Sequence, residues 1–346
     1  MSRPLVSIIV PTYNRSPLLR EALDSVAQQT LRDFEVIVVD DGSTEPVAEH
    51  VSGHPARPRI IRQTRQGPAA ARNRGLAEAA ADLVAFLDSD DLWLPGKLER
   101  FVQALQADCH TRVFYGPMKP ISADRVEVPG RTKPCHAGRI TEALFCSSFV
   151  HVPTVVCHKS VLLREGGFDA GLPVCEDYDL WLRVSLDEPF GLIEEPLALR
   201  RLHPDRLSKS CMSRNLAVKA QVLRRFHAAP RARGRLAEDV ALARLARVFY
   251  VAGRAAFRCG DYDQAIEMCR ESRRYSAGGT AALGGVVRTQ PLLWMATMFG
   301  RFRHNGHPTV RIPESPCRMA CLPERSPAPP SPARSEPSAT LVSRSS

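Results

Sequence analysis

Four strand-like runs, Leu5–Val10, Phe34–Val39, Arg59–Arg62 and Leu83–Leu87, alternate with stretches of helical periodicity over the first hundred residues. That alternation restricts the fold more than any other feature, because strand and helix in strict turn build a parallel sheet covered by helices on both faces. The run Leu83-Val84-Ala85-Phe86-Leu87 has five apolar residues without a polar one. It is too short for a lone helix and reads as a strand buried on both faces. The helices between are equally legible: after Ser16 as a candidate N-cap and Pro17, residues Leu18, Leu19, Ala22 and Val26 fall on one face. The expected class is a doubly wound α/β sheet.

The strand ends carry the chemistry. Leu83–Leu87 stops at Asp88-Ser89-Asp90-Asp91, and Phe34–Val39 stops at Asp40-Asp41-Gly42-Ser43. In extended chain, residues i and i+2 point the same way, so Asp88 and Asp90 can aim at one point beyond the sheet, where open α/β folds bind ligands. Two hard carboxylates suit Mg²⁺ or Mn²⁺. Asp91 can instead cap the turn that follows. Gly67 opens a helix carrying Arg72 and Arg74 in its early turns. Arg72 there could hold a phosphate or pair with a strand-end aspartate. A later segment, Glu176-Asp177-Tyr178-Asp179-Leu180-Trp181, begins another helix, where the acids serve as caps or supply a general base. His203, between a strand and a basic loop, is a candidate metal or phosphate contact.

Beyond residue 210 the pattern turns helical and basic. Residues 1–210 carry 25 Lys+Arg against 28 Asp+Glu, whereas residues 211–346 carry 22 against 9, so the net charge of +10 resides in the second part. The expected organisation is a catalytic domain over 1–210, a helical annex over 211–305, and a Pro/Ser-rich disordered tail over 306–346. Within the annex, the helices around Gly260-Asp261 resemble a single tetratricopeptide hairpin, but one copy does not make an array. The stretch Pro291–Phe302 reads as a buried final helix or one lying in a membrane interface. No basic-aromatic pattern of a nucleic-acid reader accompanies the charge, so no nucleic-acid partner is expected. The ten cysteines form no C-x-x-C frame. With no signal-peptide order and no run of about 18 apolar residues, the expected location is cytoplasmic, with peripheral contact at the inner membrane face through the basic annex.

Taken in order, Pro11-Thr12-Tyr13-Asn14-Arg15, Asp40-Asp41-Gly42-Ser43, Ala70-Ala71-Arg72-Asn73-Arg74-Gly75, Leu87-Asp88-Ser89-Asp90-Asp91, Gly167-Phe168-Asp169 and Glu176–Arg183 resemble the motifs of family 2 inverting glycosyltransferases of the GT-A fold. The resemblance covers Ser7 to about Ser210. It implies a nucleotide-diphosphate sugar, by default a uridine one, as donor, and a hydroxyl on a saccharide, lipid-linked or protein acceptor, in surface polysaccharide or glycoconjugate synthesis. It implies donor contacts from Pro11, Thr12, Tyr13, Arg15, Asp40, Arg72 and Asp88, and a divalent metal, Mn²⁺ or Mg²⁺, on Asp90, Asp88 and His203. Asp177 would be the catalytic base, with Glu176, Asp91 and Trp181 supporting it or meeting the acceptor. The loop after His203 lacks the glycine usual in the family. Rival readings are a phosphoacceptor receiver domain, for which the chain is too long, a nucleotidyltransferase, for which a glycine-rich first loop is missing, and a catalytically inactive transferase fold acting through its annex.

Overall fold

The computed structural model describes residues 3–129, 133–202 and 212–277, together with residues 295 and 297. The chain runs β1 (Val6–Thr12), α1 (Ser16–Ala27), β2 (Phe34–Asp40), α2 (Val47–His50), β3 (Arg59–Arg62), α3 (Pro68–Glu78), β4 (Leu83–Phe86), β5 (Leu92–Trp93) and α4 (Lys97–Ala107). It continues through β6 (Val113–Tyr115), β7 (Met118–Ile121), α5 (Thr141–Cys146), β8 (Val156–His158), α6 (Lys159–Arg164), α7 (Glu176–Ser185), β9 (Phe190–Leu192) and β10 (Ala198–Arg201). Three helices close the described chain: α8 (Met212–Ala228), α9 (Glu238–Arg258) and α10 (Tyr262–Ala277).

The main sheet has the order β3-β2-β1-β4-β8-β6-β9. All its pairings are parallel except those of β8, which runs against both β4 and β6. The register Thr12↔Asp40 puts the ends of β1 and β2 at one edge, and β4 ends on the same side. Alternation along β1 splits the core: Val6, Ile8 and Val10 face α1 and α4, while Ile9 faces α3 and the apolar side of α7. Helix α3 lies very close to the sheet. A Cβ on Gly75 would stand 2.4 Å from the Ile9 side chain, so only glycine fits there.

Several local details differ from the sequence expectation. Ser16 is the first residue of α1 and not its cap, which is Arg15; the Ser16 amide is instead satisfied by Glu45 Oε1 at 2.8 Å. Asp91 caps no helix. The chain after it enters the two-residue strand β5, and Asp91 Oδ1 accepts the Arg201 amide at 3.1 Å. Strands β5, β10 and β7 form a separate small sheet that stitches the acidic loop to the later chain, a pairing too short and too distant in sequence for periodicity to reveal.

Helices α8 and α9 share their core with the α3 face of the sheet: Val222, Leu223, Phe226, Leu245 and Phe249 join Phe145, Tyr178 and Trp181 in one cluster. Arginines of this basic part meet acids of the first half, Arg225 with Asp169 and Asp179, Arg231 with Glu165 and Asp187. The charge asymmetry between the halves is therefore partly answered inside the molecule. Among the described residues, no helix is long and apolar enough to cross a membrane. The stretch 291–302, apart from 295 and 297, and the tail from Ile312 lie outside the described residues.

Candidate active site

The strand ends open into a cleft of about 820 Å³, within the size range of small-molecule sites. The first wall is the β1 loop. Pro11, Thr12, Tyr13 and Arg15 all line the cleft. Asn14 takes the left-handed conformation, φ 50°, which asparagine tolerates better than most residues. Its side-chain oxygen accepts the Thr44 amide at 2.8 Å, and its own amide donates to Ser43 Oγ at 2.9 Å, so the first two motif loops are tied together. The Thr12 hydroxyl is buried with no hydrogen-bond partner, an uncommon state that a bound ligand would relieve.

Asp40 and Asp41 divide the work of the second loop. Asp40 is buried, its Oδ1 accepting the Ser43 amide at 2.8 Å, and it is not among the residues that line the cleft. Asp41 lines the cleft and accepts the amides of Gln66 and Gly67, both at 2.8 Å, which fixes the approach to α3. Gly42 between them has φ +82°, and a Cβ there would meet the Arg65 amide at 2.9 Å. Arg65 stacks its guanidinium 4.1 Å from the centre of the Tyr13 ring. Neither Asp41 as a cleft residue nor Arg65 is evident from sequence, because both placements depend on how two loops meet.

Arg72 joins the two acidic segments. Its guanidinium donates to Asp88 Oδ1 and to Glu176 Oε1, both at 2.7 Å, and lies 5.4 Å from the Phe168 ring centre. The guanidinium is buried, yet these carboxylates hold its pKa above the usual value. Of the two sequence-level options for Arg72, the ion pair is the one formed. Arg15 plays the same part for Asp90, donating to Oδ2 at 2.7 Å. Next door, Asn73 exchanges two hydrogen bonds with the backbone of Phe168, at 2.7 and 2.9 Å. The R-N-R and G-F-D motifs are thus the two sides of one clamp.

Asp88 and Asp90 both line the cleft. Burial raises the Asp88 pKa, Arg72 opposes this, and the nearby Asp90 charge pushes it further up. Two carboxylates under mutual repulsion are a donor set that a cation relieves. No group of three metal-ligating side chains occurs among the described residues. Mg²⁺ and Mn²⁺ sites of the substrate-bridging kind need only one or two carboxylates, with phosphate oxygens and water completing the shell, so the pair fits such an ion. His203 lies outside the described residues.

The opposite wall is the start of α7. Cys175 has φ 63°, a conformation rare for residues other than glycine, and it swings Glu176 and Asp177 into the cleft at the first helical turn. The Asp177 carboxyl is pushed up to about 7, by burial first and Glu176 next, against the pull of Arg72 and the 2.7 Å bond from the Tyr178 amide. A carboxylate poised near neutrality is suited to take a proton. Trp181 is fully buried and packs edge-to-face on Phe168 and Phe190, with centroids 6.4 and 6.5 Å away. It stiffens α7 from behind and does not line the cleft.

A seven-stranded, mostly parallel sheet with acids at its strand ends and a second acidic helix start on one cleft is the architecture expected of a GT-A glycosyltransferase. The same fold is found in the crystal structure of S. aureus TarS in complex with UDP-GlcNAc, with a TM-score of 0.64 at 19% identity over 88% of this chain and 92% of that one. Residues 7–166 match the family model described as Glycosyl transferase family 2. An uncharacterized glycosyltransferase of Haemophilus influenzae is 33% identical over 217 residues, 61% of this chain and 73% of that protein. The succinoglycan biosynthesis protein ExoW of Rhizobium meliloti is 44% identical over 115 residues, 30% of this chain and 36% of that protein. The chain belongs to glycosyltransferase family 2 and is a glycosyltransferase.

Proposed function

We propose that the chain transfers a sugar from a uridine-diphosphate sugar to an acceptor hydroxyl with inversion at the anomeric carbon, in the synthesis of a surface polysaccharide or glycoconjugate. The observation that carries this reading is Arg72, which ties the strand-end pair Asp88/Asp90 to the Glu176-Asp177 wall through two 2.7 Å contacts. One cleft thereby offers a place for a leaving diphosphate and, facing it, a base. The similarity to a succinoglycan biosynthesis protein supports the polysaccharide role, and the fold shared with a UDP-GlcNAc complex supports the uridine donor.

Each residue follows from what the reaction needs. Tyr13, stacked under Arg65, presents a flat apolar face for a nucleotide base, and the unpartnered Thr12 hydroxyl offers a hydrogen bond beside it. Asp90 and Asp88 would hold a Mg²⁺ or Mn²⁺ ion. Such an ion supplies charge stabilisation to the departing diphosphate, a contribution of several kcal/mol in comparable sites. Asp177 takes the proton from the acceptor hydroxyl as that oxygen attacks. The new bond forms on the face away from the leaving diphosphate, so the configuration inverts. Glu176 is held ion-paired by Arg72, at 2.7 Å, and its charge keeps the neighbouring Asp177 basic enough to work. In this account residues 1–210 contain the catalytic groups, and the helices beyond 211 complete the acceptor side.

Calorimetric titration with UDP tests the donor half. The wild-type protein should bind UDP at least tenfold more tightly with Mn²⁺ than with chelator present. Asp90→Ala should lose that gain. UDP affinity indifferent to Mn²⁺ in the wild type would contradict the metal assignment.

A further inference from the structure

The acceptor side of the cleft carries an excess of positive charge. Lys219 of α8 lines it, together with Ser148, whose carbonyl accepts a hydrogen bond from the Lys133 ammonium. Arg244 of α9 donates to the Phe145 carbonyl at 3.3 Å, three residues before Ser148. Three cations nearby are paired with acids, Arg224 of α8 with Glu271 at 3.5 Å, Arg225 of α8 with Asp179 at 2.5 Å, and Arg231, between α8 and α9, with Asp187 at 2.6 Å. For Lys133, Lys219 and Arg244 no ion pair exists among the described residues. Lys219 has only the face of the Tyr178 ring, 5.0 Å from its ammonium.

The three cations stand near enough to repel one another. Burial, then Arg244 and Lys133, lower the Lys219 ammonium to about 8, and burial with Arg200 and Arg244 lowers that of Lys133. The acid they face is Asp177, whose carboxyl is itself held up at about 7, and its opposing pull is the weakest of the influences on Lys219 and on Lys133. The charges acting on Asp88, by contrast, are Arg72, Asp90 and Glu176. The cations therefore belong to the base's side of the cleft and not to the strand-end carboxylates. Lys219 and Arg244 are partly buried and Lys133 is exposed; like charges gathered without a counterion repel one another, and an anion brought by a ligand relieves that repulsion.

We propose that Lys219, backed by Lys133 and Arg244, forms an anion-binding acceptor subsite, so that the natural acceptor carries a phosphate or carboxylate close to the hydroxyl presented to Asp177. This rests on the reading of Asp177 as the base. The subsite places the negative group of the acceptor on α8 and the preceding loop, at a distance from the donor diphosphate, and so selects anionic glycans or polyol phosphates over neutral sugars.

Calorimetry on the full chain, with and without UDP and Mn²⁺, tests it with matched probes: a short glycerol-phosphate oligomer, tetragalacturonate, and the neutral methyl ester of tetragalacturonate. At least one anionic probe should bind ten or more times as tightly as the neutral ester, and binding of only one of the two identifies the group as phosphate or carboxylate. The Lys133→Gln/Lys219→Gln double variant should lose tenfold or more in affinity for that probe while binding UDP within twofold of wild type. Lys133→Arg, which keeps the charge, should retain the probe, and thermal unfolding checks that each variant is folded. Equal binding of ester and anions, no binding of either anion, or UDP affinity falling in step with probe affinity in the double variant would each overturn the proposal. Failure of the wild type to bind UDP while the anion still binds would instead count against the donor reading.

Discussion

Two side chains are driven by burial to titrate near neutrality, and their surroundings separate them. Asp177 stands in the cleft beside Glu176, whereas Lys97 is fully buried in the α1/α4 core, its ammonium 4.3 and 4.4 Å from the ring centres of Trp93 and Phe101. The Lys97 ammonium has no hydrogen-bond partner, and burial lowers it to about 7. It does not line the active-site cleft, and its burial bears on stability. A lysine whose folded pKa lies below its unfolded value of 10.5 stabilises the protein fully at high pH. That stability is lost as pH falls towards 7, with a slope of about 1.4 kcal/mol per pH unit. Lys97→Met should flatten the rise of unfolding free energy between pH 7 and 10, leaving the smaller contribution of Lys219 above pH 8. Urea titrations at pH 7 and 9 check this; an unchanged slope in Lys97→Met would place the Lys97 ammonium in water.

At the level of elements, the site is held by pairings between motifs distant in sequence. The Asn73–Phe168 clamp joins α3 to the chain that leads into α7, and through it Arg72 is kept between Asp88 and Glu176. Asn73→Ala leaves the amide of Phe168 and its carbonyl without their partner, which costs about 1–3 kcal/mol. Chemical denaturation should report that loss, and UDP affinity should fall with it as Arg72 loses its anchor. Retained stability would mean that α3 and α7 are held by packing alone. The motifs themselves are legible in sequence because each rests on local chemistry: apolar runs stopped by carboxylates, Asn14 and Gly42 where the chain turns left-handed, acids at the first turn of α7. Which partner each motif meets is not local. Asp41 lining the cleft, Arg65 over Tyr13, Asp91 held by Arg201 and the β5-β10-β7 sheet all come from loops brought together by the fold.

For the whole molecule, the fold brings the end of the β4 strand and the start of α7 to one cleft, and α8 adds Lys219 to its lining. The basic second half is bound to the acidic first through shared core and ion pairs, so its charge is in part structural and in part turned towards the cleft. The central claim is that Asp177 removes the proton from the attacking oxygen, and water can stand in for an unidentified acceptor. The most direct measurement is the pH dependence of UDP release from UDP-GlcNAc and other UDP-sugars in Mn²⁺, for wild type and Asp177→Asn. With the carboxyl at about 7, the wild-type rate should climb tenfold per pH unit below that value and level off above it. Asp177→Asn should be slower by about 10²–10⁴-fold, the usual contribution of a positioned base, with UDP affinity retained. An Asp177→Asn protein that releases UDP at the wild-type rate with the same pH profile would contradict the account.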